Sequence, residues 1–246
     1  MNAVVLGATK GMGRALARLL AVRGHRVFLL GRHAEDLERS ARDLEIRSGS
    51  VSKVGVAICD LERPETFPAA LEAAAGALGA VDLVVVTAGM FATQEALEKD
   101  LTLTGRLLAT DFTNTVLFCE HVRRRFFRDR GGTLCVFSSV AGERGRKPVA
   151  LYGAAKAGLT RYLEALDHRF HRTGLRVVCV KPGYVKTSMT EGLPQPPFAG
   201  EPDAVAERVL AAIEKGQPVV YAPGAWRFVM AVIRRLPRFV MRRVEF

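Results

Sequence analysis

Cysteine is scarce in this chain of 246 residues: there are four, at positions 59, 119, 135 and 179, and no spacing among them suits a metal knot or a disulfide framework. Several fall in apparent strands, so buried, reduced thiols are expected, and no metal site. Long apolar runs are missing too; none reaches the roughly 18 residues that span a bilayer. Met1 leads straight into strand-like sequence, without the basic segment, apolar segment and cleavage site of a secretory leader. A protein made and kept in the cytoplasm is expected. Acidic residues run short, with 25 Asp and Glu against 36 Lys and Arg and a formal net charge of +11. One Trp and four Tyr supply no aromatic platforms interleaved with that charge, so a nucleic-acid partner is not expected. Internal repeats and low-complexity stretches are absent, and the length suits one α/β domain rather than two.

The positive charge is concentrated. Residues 226 to 246 hold six Arg against one Glu, and a second cluster comprises Arg123, Arg124, Arg125, Arg128 and Arg130. Charge gathered on particular surfaces points to an anionic partner, either a phosphate-bearing ligand or a membrane face. Along the chain, short apolar runs at 3–6, 26–30, 54–59, 82–87, 133–138, 176–181 and 219–221 read as strands. Amphipathic stretches at 12–23, 35–45, 65–78, 106–128, 151–173 and 203–215 read as helices. Apolar strands separated by helices imply a parallel sheet covered on both faces, doubly wound by right-handed crossovers. The expected fold is α/β: a single doubly wound Rossmann-type domain over residues 1–223, with a seven-stranded parallel sheet flanked by helices, then a basic amphipathic C-terminal helix in 224–246. Segments 90–102 and 191–202 read as pocket-building loops; the second, with Pro194, Pro196, Pro197 and Pro202, is irregular enough for a lid.

Between the first strand and the first helix stands Gly7-Ala8-Thr9-Lys10-Gly11-Met12-Gly13. Glycines there let the backbone approach a pyrophosphate at the helix N-terminus, although a tight structural turn would use the same residues. The second strand ends in Gly31-Arg32, where an NAD site usually offers an acid to the adenosine ribose. Arg32 and Lys10 converging on that ribose suit a 2′-phosphate, so NADPH is expected over NADH. Asp60, after the third strand, either accepts from the adenine amino group or caps the next helix. The fourth strand ends in Thr87-Ala88-Gly89, small residues that leave room above the sheet.

Tyr152 and Lys156 are four apart in helical sequence, so phenol and ammonium share a face. Such a pair arises by chance on many helices; here Ser139, at the end of the fifth strand, could hold a substrate oxygen against the phenol. A neighbouring Lys⁺ favours the phenolate and lowers the Tyr pKa from about 10.

With these residues and Pro182-Gly183 in this order, the chain resembles the short-chain dehydrogenase/reductase family over nearly its whole length. The resemblance implies that Tyr152 transfers the proton, Ser139 orients the carbonyl, and Lys156 tunes Tyr152 while binding the nicotinamide ribose. It implies NADP(H) binding by Gly7, Thr9, Lys10, Gly11, Met12, Gly13, Arg32, Asp60, Leu61, Ala88, Gly89, Tyr152, Lys156, Pro182 and Gly183, with Val185 and Thr187 at the carboxamide. It also implies a homo-oligomer, dimer or tetramer. One position departs: where the family commonly has an Asn that holds a relay water, this chain has Asp111, with Asn114 one turn on as an alternative. A carboxylate there would perturb the Lys156–Tyr152 pair, which places Asp111 among the catalytic residues. A narrower likeness, in 139–146, 219–223 and the tail from Trp226, is to decaprenylphosphoryl-2-keto-ribose reductases, implying a ketone on a polyprenyl-phosphate-linked sugar. A 3-oxoacyl or 3-ketosphinganine reductase and a non-catalytic NADP(H)-binding sensor stay open as alternatives. The Arg-rich tail, broken near Pro237, either lies on an anionic membrane surface or packs on the domain or a partner.

Overall fold

The computed structural model describes residues 1–49, 53–129 and 131–244; Arg130 of the second basic cluster and Glu245 of the tail lie outside them. Side chains of β1 (Asn2–Leu6) alternate between two cores, Ala3 and Val5 facing one and Val4 and Leu6 the other. The same split recurs in β4 (Leu83–Val86), β5 (Gly132–Phe137) and β6 (Leu175–Pro182). Strands that are apolar on both faces need helices on both. With β2 (Arg26–Gly31), β3 (Gly55–Ile58) and β7 (Val219–Ala222), the described residues form a seven-stranded sheet of order β3-β2-β1-β4-β5-β6-β7, with every pairing parallel. On one face α1 (Gly11–Val22), α2 (Ala34–Ser48) and α8 (Pro202–Glu214) bury Leu16, Leu20, Leu37, Leu44, Val209 and Ile213. On the other, α3 (Phe67–Leu78), α6 (Asn114–Arg128) and α7 (Ala150–Phe170) bury Phe67, Phe118, Phe126, Leu159 and Leu163. The expected α/β architecture is therefore the observed one. Strand order reverses between β1 and β4, which opens a crevice beyond their C-terminal ends.

Two helical segments differ from expectation. Residues 90–102 are not a plain loop: they contain α4 (Gln94–Lys99), which begins where Thr93 Oγ1 accepts from Ala96 N–H at 3.3 Å. They then enter α5 (Leu101–Leu108), capped by the Asp100 carboxylate on Thr102 and Leu103 N–H. The helix expected over 106–128 is interrupted between α5 and α6, where the turn Ala109–Thr113 widens to π geometry. Thr115 Oγ1 donates to the Thr110 carbonyl at 2.7 Å across that widening, and Asp111 ends up fully buried.

Much of the second basic cluster is compensated. Arg123 pairs with Glu120, Arg125 with Glu72 and Asp129, and Arg128 with Glu72, so these side chains do not form a bare anion-binding face. The four cysteines are free and buried; burial pushes the Cys59 thiol up to about 12 and that of Cys179 to about 11, so neither acts as a thiolate at neutral pH.

In the tail, α9 (Trp226–Ile233) and α10 (Arg238–Met241) are separated at Pro237, the break expected from the sequence. The inner face of α9 buries Met230 and Ile233 against Val140, with Tyr221, Trp226 and Val229 beside them, while Phe228 and Val232 are exposed. Beneath it, a Glu143 carboxylate oxygen accepts from Lys181 Nζ at 2.8 Å and the Tyr221 hydroxyl at 2.5 Å, with Arg234 Nη1 at 3.7 Å. Gly183, just past β6, admits the only indole: a Cβ there would lie 2.1 Å from Trp226 Nε1, whose N–H donates to the Phe198 carbonyl at 3.2 Å. No helix among the described residues is long and apolar enough to cross a membrane.

Candidate active site

The crevice at the strand reversal is floored by the glycine turn and by the end of β4. Gly7 (φ 93°) and Gly13 approach the end of β4 closely: a Cβ on Gly13 would lie 2.2 Å from the Gly7 carbonyl oxygen and 2.3 Å from Thr87 Oγ1. Thr87 Oγ1 in turn donates to the Leu6 and Gly7 carbonyls at 3.0 and 3.2 Å, which clamps Thr87, Ala88 and Gly89 beneath the turn. Gly13→Ala is therefore expected to lower unfolding stability by about 1–3 kcal/mol through overpacking. An unchanged urea midpoint would show that the two turns separate freely.

Lys10 occupies the N-cap of α1 with extended backbone and makes no side-chain cap, so the first-turn N–H groups around Gly11, Met12 and Gly13 face the crevice without a capping oxygen. An opening of about 580 Å³ lies over Lys10, Gly11 and Arg14 and reaches Thr187 and Ser188. At the end of β2, Arg32 is mostly exposed and only loosely paired, its Nη1 3.8 Å from Glu62 Oε1, while Arg106 holds Glu62 through two shorter bonds at 2.9 and 3.0 Å. Near this corner the Asp36 carboxyl lies below its ordinary range, chiefly through its bond from Arg39, with smaller contributions from the charges of Lys10 and His33. Asp60 Oδ1 accepts from Glu62 N–H at 3.0 Å, a cap on its own turn rather than on a helix. Leu61 is buried, and its carbonyl takes the Asn114 amide at 2.6 Å. Asn114 therefore serves the β3 turn and not Lys156.

Ser139 ends β5 in extended conformation, its Oγ accepting from Ala141 N–H at 3.1 Å. The neighbouring Ser138 Oγ donates to the Lys156 carbonyl at 3.0 Å and meets Thr160 Oγ1 at 2.6 Å, which fixes the register of α7 against β5. That register sets Tyr152 within reach of the Ser139 side chain, which bears on its pKa, and puts Lys156 Nζ 5.6 Å from the Tyr152 ring centre. Phe91 meets the ring edge-on at 5.2 Å. Buried Leu97, Leu107 and Ala155, with Met90, Ala92, Leu103 and Leu151, make the surroundings apolar. Phe91 was not singled out in the sequence; an aromatic two residues past Thr87-Ala88-Gly89 was the available signal.

Asp111 reaches this group from the π turn. Its Oδ1 accepts from Met90 N–H at 2.7 Å, and its Oδ2 lies 3.4 Å from Lys156 Nζ. Both side chains are buried. Burial opposes the Lys156 ammonium, but the charge of Asp111, and after it Tyr152, outweighs burial and raises the Lys156 pKa. Burial likewise pushes Asp111 up, against the pull of Lys156 and the Met90 N–H. For Tyr152 the net direction is upward: burial dominates and Asp111 adds to it, while Lys156 and the Ser139 side chain pull the other way. The sequence led to a lowered Tyr152; the lysine's pull is there, but burial and the carboxylate behind it exceed it. Pro182 closes β6, Gly183 N–H donates to the Ala222 carbonyl at 3.1 Å, and Val185 is buried in a bridge to Gly200. Thr187 faces Gly11 across the crevice: a Cβ added to Gly11 would lie 3.2 Å from Thr187 Cγ2.

Comparison with known proteins gives a consistent picture. The profile of the family described as short chain dehydrogenase matches residues 1–197. Over 242 residues the chain is 34% identical to an uncharacterized oxidoreductase of Mycobacterium tuberculosis, with 98% of this chain and 96% of that protein covered. It is 30% identical over 191 residues to a 3-oxoacyl-acyl-carrier-protein reductase of Chlamydia muridarum, covering 78% and 76%. Among solved structures, an actinorhodin polyketide ketoreductase variant with NADPH matches with a TM-score of 0.79 at 25% identity, covering 89% of this chain and 94% of that one.

Proposed function

The chain belongs to the short chain dehydrogenase family, and on that premise we propose that this oxidoreductase is an NADPH-dependent reductase of ketones on lipophilic substrates, with a polyprenyl-phosphate-linked ketosugar favoured. The observation that carries the proposal is the meeting of Ser139, Tyr152 and Lys156 beside an uncapped, glycine-lined helix N-terminus. A dinucleotide fits that place: the glycine floor is one a Cβ would fill, and unpaired first-turn N–H groups suit a pyrophosphate. Gly7, Thr9, Gly11, Met12 and Gly13 would hold the pyrophosphate, Asp60 and Leu61 the adenine, and Ala88, Gly89 and Lys156 the nicotinamide ribose. Pro182, Gly183, Val185 and Thr187 would hold the carboxamide. When bound, the reduced nicotinamide supplies a hydride to the carbonyl carbon. Ser139 holds the carbonyl oxygen, and the Tyr152 hydroxyl gives it a proton, leaving a phenolate beside the Lys156 ammonium. A Tyr152 whose pKa is raised stays protonated through neutral pH and so is set up as a donor, which favours reduction over oxidation.

Arg32 and Lys10 select the 2′-phosphate. Arg32→Ala is expected to weaken NADPH by roughly 10- to 100-fold, the worth of a charge-assisted bond to phosphate, and to leave NADH nearly unchanged. Equal losses for both cofactors would remove Arg32 from that role. The apolar surroundings of Tyr152 support a lipophilic substrate, and the exposed Phe228, Val232 and Phe239 beside six tail arginines support contact with an anionic membrane on the cytoplasmic side. Exposed Leu117 and Phe127 on α6 support a homo-oligomer. The second reading, a 3-oxoacyl reductase, is favoured by the name of the Chlamydia relative. The deciding experiment is titration with NADPH and NADH, then turnover of a ketone panel in detergent that includes a lipid-linked ketosugar and a 3-oxoacyl thioester. Tight NADPH binding with no turnover of any ketone would instead establish a non-catalytic binder.

A further inference from the structure

The connection from Ser139 to Tyr152 does more than join two site residues. Arg144, Arg146 and Lys147 follow one another along it, and together with Arg238 and Arg242 they line an open groove of about 540 Å³, completed by Gly145, Ala150 and Met241. The groove is a built feature, because Arg144 Nη2 donates to the Leu236 carbonyl at 2.7 Å and so ties the connection to the α9–α10 junction. Arg238 opens α10 and Arg242 is its C-cap in helical conformation, so the two, four apart, share a face. Both are exposed, and neither has an acidic partner among the described residues, in contrast to Arg123, Arg125 and Arg128 on α6. Ala150, in the lining of the groove, is the first residue of the 21-residue helix α7, so the positive end of a long helix borders the groove.

We propose that this groove seats a phosphate ester carried by the substrate. Arginine forks match phosphate oxygens in pairs, and the exposed pair Arg238 and Arg242, beside Arg144, Arg146 and Lys147, places more positive charge around the groove than a neutral ligand would need. The groove is bordered by the connection that runs from Ser139 to Tyr152, so a ligand seated there lies alongside the segment that joins the two site residues. The substrate is thus a ketone whose carbonyl stands a short distance from a phosphate, with its apolar portion free to lie along the exposed Phe239 and Phe228. This assignment rests on the carbonyl-reductase reading of Tyr152, but its test does not require turnover.

The test is binding of hexyl phosphate to the full chain by calorimetry, with hexanol as the neutral control and phosphatidylglycerol and phosphatidylcholine vesicles as a second arm. Saturable one-to-one binding of hexyl phosphate is expected, weakened at least tenfold in Arg238→Ala/Arg242→Ala and largely kept in Arg238→Lys/Arg242→Lys. The exposed pair Arg161→Ala/Arg172→Ala, elsewhere on the surface, is expected to change it less than twofold. NADPH affinity should be the same in all variants, which separates loss of the groove from loss of the fold. Equal weakening by both alanine pairs would overturn the proposal in favour of diffuse charge. Binding to phosphatidylglycerol vesicles without binding to hexyl phosphate would overturn it in favour of a membrane contact. If hexyl phosphate behaves as expected while no ketone is reduced, the groove stands and the reductase reading falls.

Discussion

Tyr152→Phe should cut ketone reduction by a factor of about 10³ or more while NADPH affinity stays within about twofold, the scale of removing a positioned general acid. The ring would survive: its edge-on contact with Phe91 and its place near Lys156 depend on shape and not on the hydroxyl. Only the proton donor is lost. Ser139 keeps its bond from Ala141 N–H and so its position. Single-turnover measurement of NADPH oxidation, next to a binding titration, separates chemistry from affinity. Retained turnover would remove Tyr152 as the acid and return attention to the water or side chain that replaces it.

The second large effect concerns Asp111, and it has a sign. The carboxylate raises the pKa of both Lys156 and Tyr152, so Asp111→Asn lowers both. Reduction needs protonated Tyr152, and the rate falls once pH passes its pKa. The basic limb of the kcat/KM profile should therefore move to lower pH in Asp111→Asn, and oxidation of the corresponding alcohol, which needs the phenolate, should rise near neutrality. A basic limb that stays in place would show that Asp111 does not act on the phenol. Asp111→Leu tests the pair as structure. It leaves a buried ammonium without its counter-charge, an uncompensated charge costing about 3–5 kcal/mol and lowering Tm by roughly 6–20 °C for a chain of this size. Asn, the residue common at this place in the family, should be milder because its amide can still accept from Met90 N–H.

How far the sequence could be read varied with the range of the forces involved. The alternation within β1, β4, β5 and β6 is local, and it placed the strands to within a residue or two of their ends. The glycine turn and the Tyr152–Lys156 spacing are local as well. By contrast, α4 has six residues, too few for a helical period to stand out, and only Thr93 and Ala96 mark its start. The π turn at Ala109–Thr113 shifts the helical phase without breaking the run of helix formers, so 106–128 read as one helix. Pairings across the fold carry no local signature at all. Nothing near Arg125 announces Glu72, nothing near Glu143 announces Lys181 and Tyr221, and the direction of the Tyr152 pKa depends on a carboxylate 41 positions earlier in the chain.

The seat of Trp226 has a practical meaning. The chain holds one tryptophan, and it rests on Gly183, bonds the carbonyl of Phe198 in segment 191–202, and opens α9. Indole emission, excited on the red edge where tyrosine does not absorb, thus originates at one junction, where the β6 terminus, the proline-rich segment and the tail meet. A change in its colour or quenching reports on that junction alone, so the native chain carries its own optical gauge and needs no attached dye.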